Sequence, residues 1–117
     1  MKSMLHVLVI PCLLALAGCG GADEVMPVPL PVLAAEPAAY DGKRVATSGV
    51  VRSFAPPRHY WIEDQDLHRV EIVPPERVAA HLGREVSVVG RFRFTPDAGR
   101  RLEVEALEPL TVDEPVR

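Results

Sequence analysis

One ten-residue segment, residues 85–94, limits the folds that are open to this chain. Successive side chains of a strand point to opposite faces, so a period of two predicts a strand with one buried face. The segment therefore indicates a β-sheet protein. Its alternate positions are apolar or glycine: Val86, Val88, Gly90, Phe92 and Phe94.

Four more segments favour strands, and turn signals separate them. Asp41-Gly42 is a turn signal in front of the first strand. Gly49 lies inside that strand, at a usual place for a bulge or a sharp coil. A loop is expected over residues 55–58. The five predicted strands are residues 43–54, 59–64, 68–73, 85–94 and 102–107.

A short helix is predicted between the third and fourth strands. Pro75 suits the first helical position, and Gly83 suits the residue just past the end. Val78 and Leu82, four residues apart, fall on one face of this helix. A second short helix, interrupted at Pro37, is predicted over residues 33–40.

Matching the apolar faces of neighbouring strands predicts the register of both hairpins. Opposite charges then face each other, although only apolar residues were used to set the register, and this agreement supports the pairing. The first hairpin pairs Ile62 with Val70, Tyr60 with Ile72, Glu63 with Arg69 and Trp61 with Glu71. The second pairs Phe94 with Leu102, Phe92 with Val104, Arg93 with Glu103 and Arg91 with Glu105.

Five strands with a short helix after the third form the plan of the OB-fold barrel. The motif Pro37-x-x-Tyr40-x-Gly42-Lys43-x-Val45-x-x-x-Gly49-x-Val51 also resembles the beginning of small envelope OB-fold domains. Those include the periplasmic bacterial OB-fold proteins and the tRNA-anticodon-binding-like group. We therefore predict an all-β domain with a short helix, a five-stranded OB-fold-like barrel over residues 33–110, followed by a tail over 111–117. An unrelated small barrel or sandwich is the alternative.

The amino terminus resembles a bacterial lipoprotein signal. Lys2 gives a positive start, and the apolar run over residues 4–17 is shorter than the roughly 20 residues needed to cross a bilayer. The run ends in Leu16-Ala17-Gly18-Cys19, which resembles the lipobox. A Cys is required there because its thiolate takes the diacylglyceryl group. The resemblance implies a signal peptide over residues 1–18, cleavage between Gly18 and Cys19, and lipid on Cys19.

The resemblance also predicts where the protein is held. Two or more acyl chains anchor a protein stably. In the lipoprotein sorting rule for Gram-negative cells, Asp after the lipidated Cys favours the inner membrane. Gly20 stands there instead, which implies the periplasmic face of the outer membrane. Residues 19–32, with prolines at 27, 29 and 31, are expected to form a flexible, Pro-rich tether.

The charge balance argues against a general polyanion binder. The chain has 13 Lys and Arg and 16 Asp and Glu, and Lys2 is the one charge before Cys19. Residues 19–117 therefore carry a net charge of -4, whereas nucleic-acid binders usually show a basic footprint. Outer arginines form either a basic track or a solvated face paired with glutamates: Arg44, Arg52, Arg58, Arg69, Arg91 and Arg93.

Trp61 is the main candidate for a binding residue. It is the single tryptophan, and the predicted register points it away from the core on the second strand. In OB-folds the face of strands two and three commonly takes the ligand. An exposed aromatic there can stack a base or sugar, or anchor a protein. We predict a binding face of Trp61, Arg69 and Glu71; the alternative places Trp61 under the loop at Pro56-Pro57.

The motifs indicate neither catalysis nor a metal or other cofactor. The cluster Glu63-Asp64-x-Asp66 lacks the ligand number and the Gly turn of a calcium loop. His59, His68 and His81 lack the spacing of zinc ligands. Nucleophile-elbow and phosphate-loop motifs are absent from the sequence. Cys12 would leave with the signal peptide, so a disulfide within the domain is not expected.

The sequence favours a non-enzymatic binding or envelope-assembly module. The expected partners are the membrane, through lipid on Cys19, and an envelope protein; nucleic acid is not expected. The first alternative is an oligonucleotide- or glycan-binding OB-fold domain. The second is a small enzyme whose carboxylate pair forms only in space.

Overall fold

The computed structural model describes residues 24–110. The predicted signal peptide, Cys19 and the tail over 111–117 lie outside the described residues. Across 24–110, none of the helices has both the length and the apolar character needed to span a bilayer.

The described chain consists mainly of strands. Its strands are β1 (Met26–Pro27), β2 (Arg44–Phe54), β3 (His59–Glu63), β4 (Arg69–Val73), β5 (Glu85–Thr95) and β6 (Gly99–Pro109). Its helices are α1 (Leu30–Ala35) and α2 (Pro37–Tyr40), with 3-10 turns at Pro75–Arg77 and Ala79–His81.

Five of the strands form a closed ring. The hydrogen-bonded order is β2, β3, β4, β6, β5, and β5 pairs back with β2. Neighbours in the ring are antiparallel except β4 and β6, which run parallel. The sixth strand, β1, pairs in parallel with the start of β2. The five strands of the ring correspond to the five predicted strands, and the arrangement is β-rich, as expected.

Alternate residues of the strands fill the interior of the ring. On β5 the predicted inward face is observed: Val86, Val88 and Phe92 are fully buried, and Phe94 is partly buried. This alternation is the physical reason for the strand, because a strand can bury one face and expose the other. Other residues from every strand of the ring join them in the core: Val45, Val51, Tyr60, Ile62, Val70, Ile72, Leu102 and Val104.

The predicted register of the first hairpin is confirmed, and that of the second is wrong. Trp61 lies opposite Glu71, Ile62 opposite Val70 and Glu63 opposite Arg69, as predicted. Across β5 and β6, however, Phe92 lies opposite Leu102 and Arg91 opposite Glu103, a shift of two residues. A two-residue shift keeps the same faces buried, so apolar alternation cannot detect it.

The bulge in this sheet also lies at a different glycine from the one singled out in the sequence. The register of β5 and β6 is interrupted between Val89 and Gly90, rather than at Gly49. A side chain at Gly90 would collide with the carbonyl oxygen of Glu103. Glycine is therefore required where the two backbones approach this closely.

The helix predicted between the third and fourth strands is two 3-10 turns. The chain breaks at Val78, whose φ is -117° and ψ -9°. Val78 is fully buried, whereas Leu82 is 51% exposed, so the two do not share a packed face as predicted. After the second turn, the amide of Gly83 donates to the carbonyl of Val51 at 2.8 Å, which fixes the exit from the segment.

The Pro-rich segment is part of the folded body, which corrects the predicted tether. Met26 lies opposite Val45, and the amide of Val28 donates to the carbonyl of Ala46 at 2.9 Å. Leu30, at the start of α1, is only 2% exposed. Apolar residues between the prolines supply the burial that keeps this segment from being a solvated spacer. The predicted interruption at Pro37 is observed as the break between α1 and α2.

Leu30→Ala tests whether this segment contributes to the fold. We expect the free energy of unfolding to fall by about 2–5 kcal/mol, because the change removes buried methyl groups and leaves a cavity. Leu82→Ala is the matched control, since its exposure predicts a change within about 0.5 kcal/mol. Chemical denaturation of both variants measures the difference. Equal effects of the two substitutions would contradict the packing of residues 26–33 on the ring.

Candidate functional site

The outward face of β2, β3 and β4 carries a groove of about 840 Å³. Since side chains alternate, the residues that face outward here are those between the core positions of the same strands. We call this feature the Trp61 groove. It is lined by Arg52, Ser53, Phe54, His59, Trp61, Glu63, Arg69, Glu71, Phe94, Gly99 and Arg100.

The three residues of the predicted binding face lie together in this groove. Trp61 and Glu71 are directly opposite each other on β3 and β4. Arg69 lies opposite Glu63, two residues farther along the same pair of strands. Trp61 is half-buried and lines the groove, whereas Pro56 and Pro57 do not line it. The pairing that the sequence predicts thus brings these side chains to one place.

Three aromatic rings follow one another along the groove. Phe54 lies opposite His59 in the β2–β3 pair, and their ring centres are 6.3 Å apart in an edge-on arrangement. The His59 and Trp61 rings are 5.6 Å apart and tilted by 38°. Phe54 is 63% exposed, which makes it the most accessible of the three. An exposed aromatic beside packed rings is a typical anchor for a binding partner.

The carboxylate of Glu63 holds this face in place. It accepts hydrogen bonds from Trp61 Nε1 at 2.9 Å, from Arg69 Nε at 3.0 Å and from Arg52 Nε at 3.2 Å. The hydrogen bond from Trp61 is the largest cause of the lowered pKa of Glu63, and the two guanidiniums lower this pKa further, against the opposing effect of burial. Glu63 is thus an ionised carboxylate covered by its three donors.

Both the indole N–H and one ring face of Trp61 are occupied within the protein. The indole N–H donates to Glu63, and the guanidinium carbon of Arg69 lies 4.9 Å from the ring centre, in a cation–π position. His59 packs against the ring as well. Trp61 is therefore a fixed element of the groove wall, rather than an open platform on which a base could stack.

The position of His59 also defines its hydrogen-bonding state. Its Nδ1 lies 2.9 Å from the carbonyl oxygen of Pro57. Because a carbonyl oxygen only accepts, Nδ1 must carry the proton of this bond. In the neutral ring Nε2 is then an acceptor, and no hydrogen bond from the described residues reaches it.

The outer arginines do not form a continuous basic track. Arg44 pairs with Glu105 at 2.9 Å, and Arg93 pairs with Glu103 at 3.3 Å. Arg91 donates to the carbonyl oxygen of Gly42 at 3.1 Å. Arg58 is exposed in the loop between β2 and β3. Arg52 and Arg69, which share Glu63, are the two of the six that line the groove.

Asp64 of the carboxylate cluster and His68 have structural partners of their own. Asp64 accepts from the amides of Asp66 and His68, each at 2.9 Å, and from His68 Nδ1 at 2.9 Å, which fixes the β3–β4 turn. Burial raises the pKa of Asp64, but these hydrogen bonds outweigh it and the net pKa is lowered. Within residues 24–110, no three His, Cys, Asp or Glu side chains form a group that could hold a metal ion.

Several residues of the groove had no predicted role in binding. Phe54 was predicted only as a strand residue and Arg52 only as one of the outer arginines. Glu63 was predicted as the cross-strand neighbour of Arg69 and as part of the carboxylate cluster, without a role in binding. The sequence does place Glu63 on the same face as Trp61, because residues two apart on a strand share a face and Trp61 precedes Glu63 by two. Arg100 reaches the groove from β6, where it donates to the carbonyl oxygens of Arg69 and Ala34. Such a long-range contact has no signature in the sequence.

Comparisons with known proteins do not identify a family for this chain. No protein family and no curated protein matches the chain. Among solved structures, the second single-stranded DNA binding protein of Mycobacterium smegmatis is similar, with a TM-score of 0.43 and 11% sequence identity. The similarity covers 62% of this chain and 99% of that protein.

Glu63→Gln tests whether the charged carboxylate stabilises the groove. The folded pKa of Glu63 lies below the ordinary 4.5, so its stabilisation is present above about pH 4.5 and is lost as the pH falls through the folded pKa. We expect the variant to lose about 1–3 kcal/mol of unfolding free energy at pH 7, and less at pH 4 and below. Denaturation across this pH range measures both effects.

Glu103→Gln is the matched control for this experiment. Glu103 also pairs with an arginine, Arg93, but both side chains are about half exposed. Exposed ion pairs contribute little, so we expect a change below about 1 kcal/mol. If Glu63→Gln has the same small effect at every pH, Glu63 does not hold the groove as described.

Proposed function

We propose that this protein is a non-enzymatic binding module of the bacterial envelope, held to a membrane by lipid on Cys19, and that the Trp61 groove is its contact surface. The observation that supports this proposal most strongly is the groove itself. It combines a highly exposed Phe54 with a Trp61 that is fixed in place by Glu63. Fixed aromatic side chains lose little entropy when a partner binds, so they contribute much of the affinity of protein contacts.

A binding role also agrees better with the carboxylates than a hydrolytic one. A general acid needs a raised pKa, so that it carries a proton near neutral pH. The pKa values of Glu63 and Asp64 are both lowered by hydrogen bonds within the protein. Carboxylates committed in this way are poor proton donors, and they are better suited to holding neighbouring side chains.

The anchor proposed at Cys19 would confine the groove close to the membrane. The first described strand begins at Met26, so residues 19–25 connect it to the proposed lipid. Seven extended residues reach at most about 25 Å. Confinement to this layer raises the effective concentration of the domain for partners in the same membrane. The groove can therefore function with a modest intrinsic affinity.

Cys19→Ala tests the anchor. The variant lacks the thiolate that would accept the diacylglyceryl group, so we expect it to move from the membrane fraction to the soluble fraction of the cell envelope. Mass spectrometry of the amino-terminal peptide checks the lipid directly in the wild type. Cys12→Ala is the control and should leave membrane attachment unchanged. A wild-type chain whose Cys19 carries no lipid would contradict the anchor, whatever its fractionation.

Phe54→Ala tests the groove. We expect crosslinking of the lipidated wild type in membranes to capture an envelope protein, and Phe54→Ala to reduce that capture at least about tenfold, as loss of a central aromatic contact does. Trp61→Ala should have the same effect. Leu67→Ala is the matched control, because Leu67 is 60% exposed but lies in the turn between β3 and β4, away from the groove lining.

Two results would reject this use of the groove. In the first, Phe54→Ala and Trp61→Ala retain capture although both variants are folded. In the second, Leu67→Ala loses capture as strongly as they do. Binding of the purified captured protein to wild type and Phe54→Ala, measured by titration, separates a direct contact from an indirect one.

A further inference from the structure

The two arginines that hold Glu63 keep their terminal nitrogens available. Arg52 and Arg69 each use Nε to bind a different oxygen of the carboxylate. Their side chains are 51% and 50% exposed. Within residues 24–110, the terminal nitrogens of both guanidiniums donate no hydrogen bond to the protein. One fixed carboxylate thus orients two guanidiniums and leaves their most accessible donors at the groove.

The groove has an excess of positive charge although the chain is acidic overall. Three arginines and two glutamates line it, which leaves one positive charge when His59 is neutral. The third arginine, Arg100, donates to main-chain carbonyls and is not neutralised by a carboxylate among the described residues. The chain as a whole has a net charge of -3. The positive charge is therefore local.

An apolar contact is available beside these donors. Phe54 and Arg52 both face outward on β2, two residues apart, so both reach the same groove. The Phe54 ring is 63% exposed and meets His59 through an edge contact only. A ligand that fits this surface needs an acidic group for the guanidiniums and an apolar group for Phe54 a short distance away.

We infer that the Trp61 groove binds a short acidic segment of a protein partner. A carboxylate of that segment is bound by the terminal nitrogens of Arg52 and Arg69, and a neighbouring apolar side chain packs on Phe54. Guanidinium and carboxylate form paired, charge-assisted hydrogen bonds, which supplies the specificity. This inference rests on the proposed binding function and names the chemistry of its partner.

A short acidic peptide fits the observations better than a long polyanion. A nucleic acid would extend beyond the groove and meet an acidic domain, where its charge is repelled over about 8–10 Å. It would also stack successive bases on open ring faces, whereas Trp61 is covered by Arg69 and flanked by His59, so that Phe54 is the one highly exposed ring of these three. A peptide with one or two carboxylates uses only the local positive charge.

Selection from a random heptapeptide library, with the full lipidated chain in detergent, tests the inference. The best peptide, its counterpart with Gln and Asn in place of Glu and Asp, and a 12-residue oligothymidylate are then titrated. Trp61 is the single tryptophan of the chain and lies in the groove, so its fluorescence reports binding without a label.

We expect the selected peptides to share an acidic residue next to an apolar one. Arg52→Gln should weaken binding of the best peptide at least about tenfold, because it removes one of the two guanidiniums. Arg93→Gln is the matched control, since that arginine is equally exposed and also bound to a glutamate, but it does not line the groove. Arg52→Lys is the second variant if Arg52→Gln proves unstable. It keeps the positive charge but lacks the planar, paired N–H donors of the guanidinium, so it should also weaken binding.

Three results would overturn the inference. The selected peptides lack acidic residues, the neutral counterpart binds as tightly as the acidic peptide, or oligothymidylate binds more tightly than both. Failure of this inference is distinguishable from failure of the binding function. If the captured envelope protein depends on Phe54 but not on Arg52, the groove is a binding site and its ligand is not an acidic segment.

Discussion

The ring closes because one strand, β2, pairs with β5 and β3 in turn. Residues 44–50 of β2 lie along β5, and residues 50–54 lie along β3. Gly49 lies at this change of partner. A Cβ there would lie 2.9 Å from Leu30 Cδ1 and 3.0 Å from both the amide nitrogen and the carbonyl oxygen of Glu63. Glycine is therefore what lets α1, β2 and β3 meet at one point, and closure of the ring depends on this approach.

The groove depends on the same point of the chain. Glu63, whose backbone packs against Gly49, is the residue whose carboxylate holds Trp61, Arg52 and Arg69 on the outer face. A change that displaced β3 from Gly49 would thus move the carboxylate and loosen all three side chains together. The interior and the surface are coupled here through one residue, because its main chain belongs to the core contact and its side chain to the groove.

The sequence predicts which face each residue takes, but not how far two strands slide. Alternation placed Trp61, Arg69 and Glu71 correctly beside one another, since each hairpin must bury its apolar face. The β5–β6 pairing was wrong by two residues, because a slide of two preserves every face. The bulge beside Gly90 depends on how closely Glu103 approaches, and that approach is a property of the assembled sheet.

The remaining differences between the predicted and the observed structure arise from contacts with residues that are distant in the sequence. The prolines at 27, 29 and 31 favour an extended spacer by local preference, but Val28 and Leu30 between them are buried against the ring. Tertiary contact overrides local preference in such a segment. Phe54 was not predicted as a binding residue, because its sequence position carries no distinguishing signal. An exposed phenylalanine at a strand end resembles any surface residue in sequence, and its role follows only from the neighbours that the ring brings to it.

The entry of the chain into the sheet and the groove lie toward opposite ends of β2. Met26 lies opposite Val45 near the start of β2, whereas Phe54 is the last residue of that strand. Nine residues of strand separate these positions, a contour length of about 30 Å. With the proposed lipid at Cys19, the groove would lie toward the end of β2 that is distant from the anchored segment.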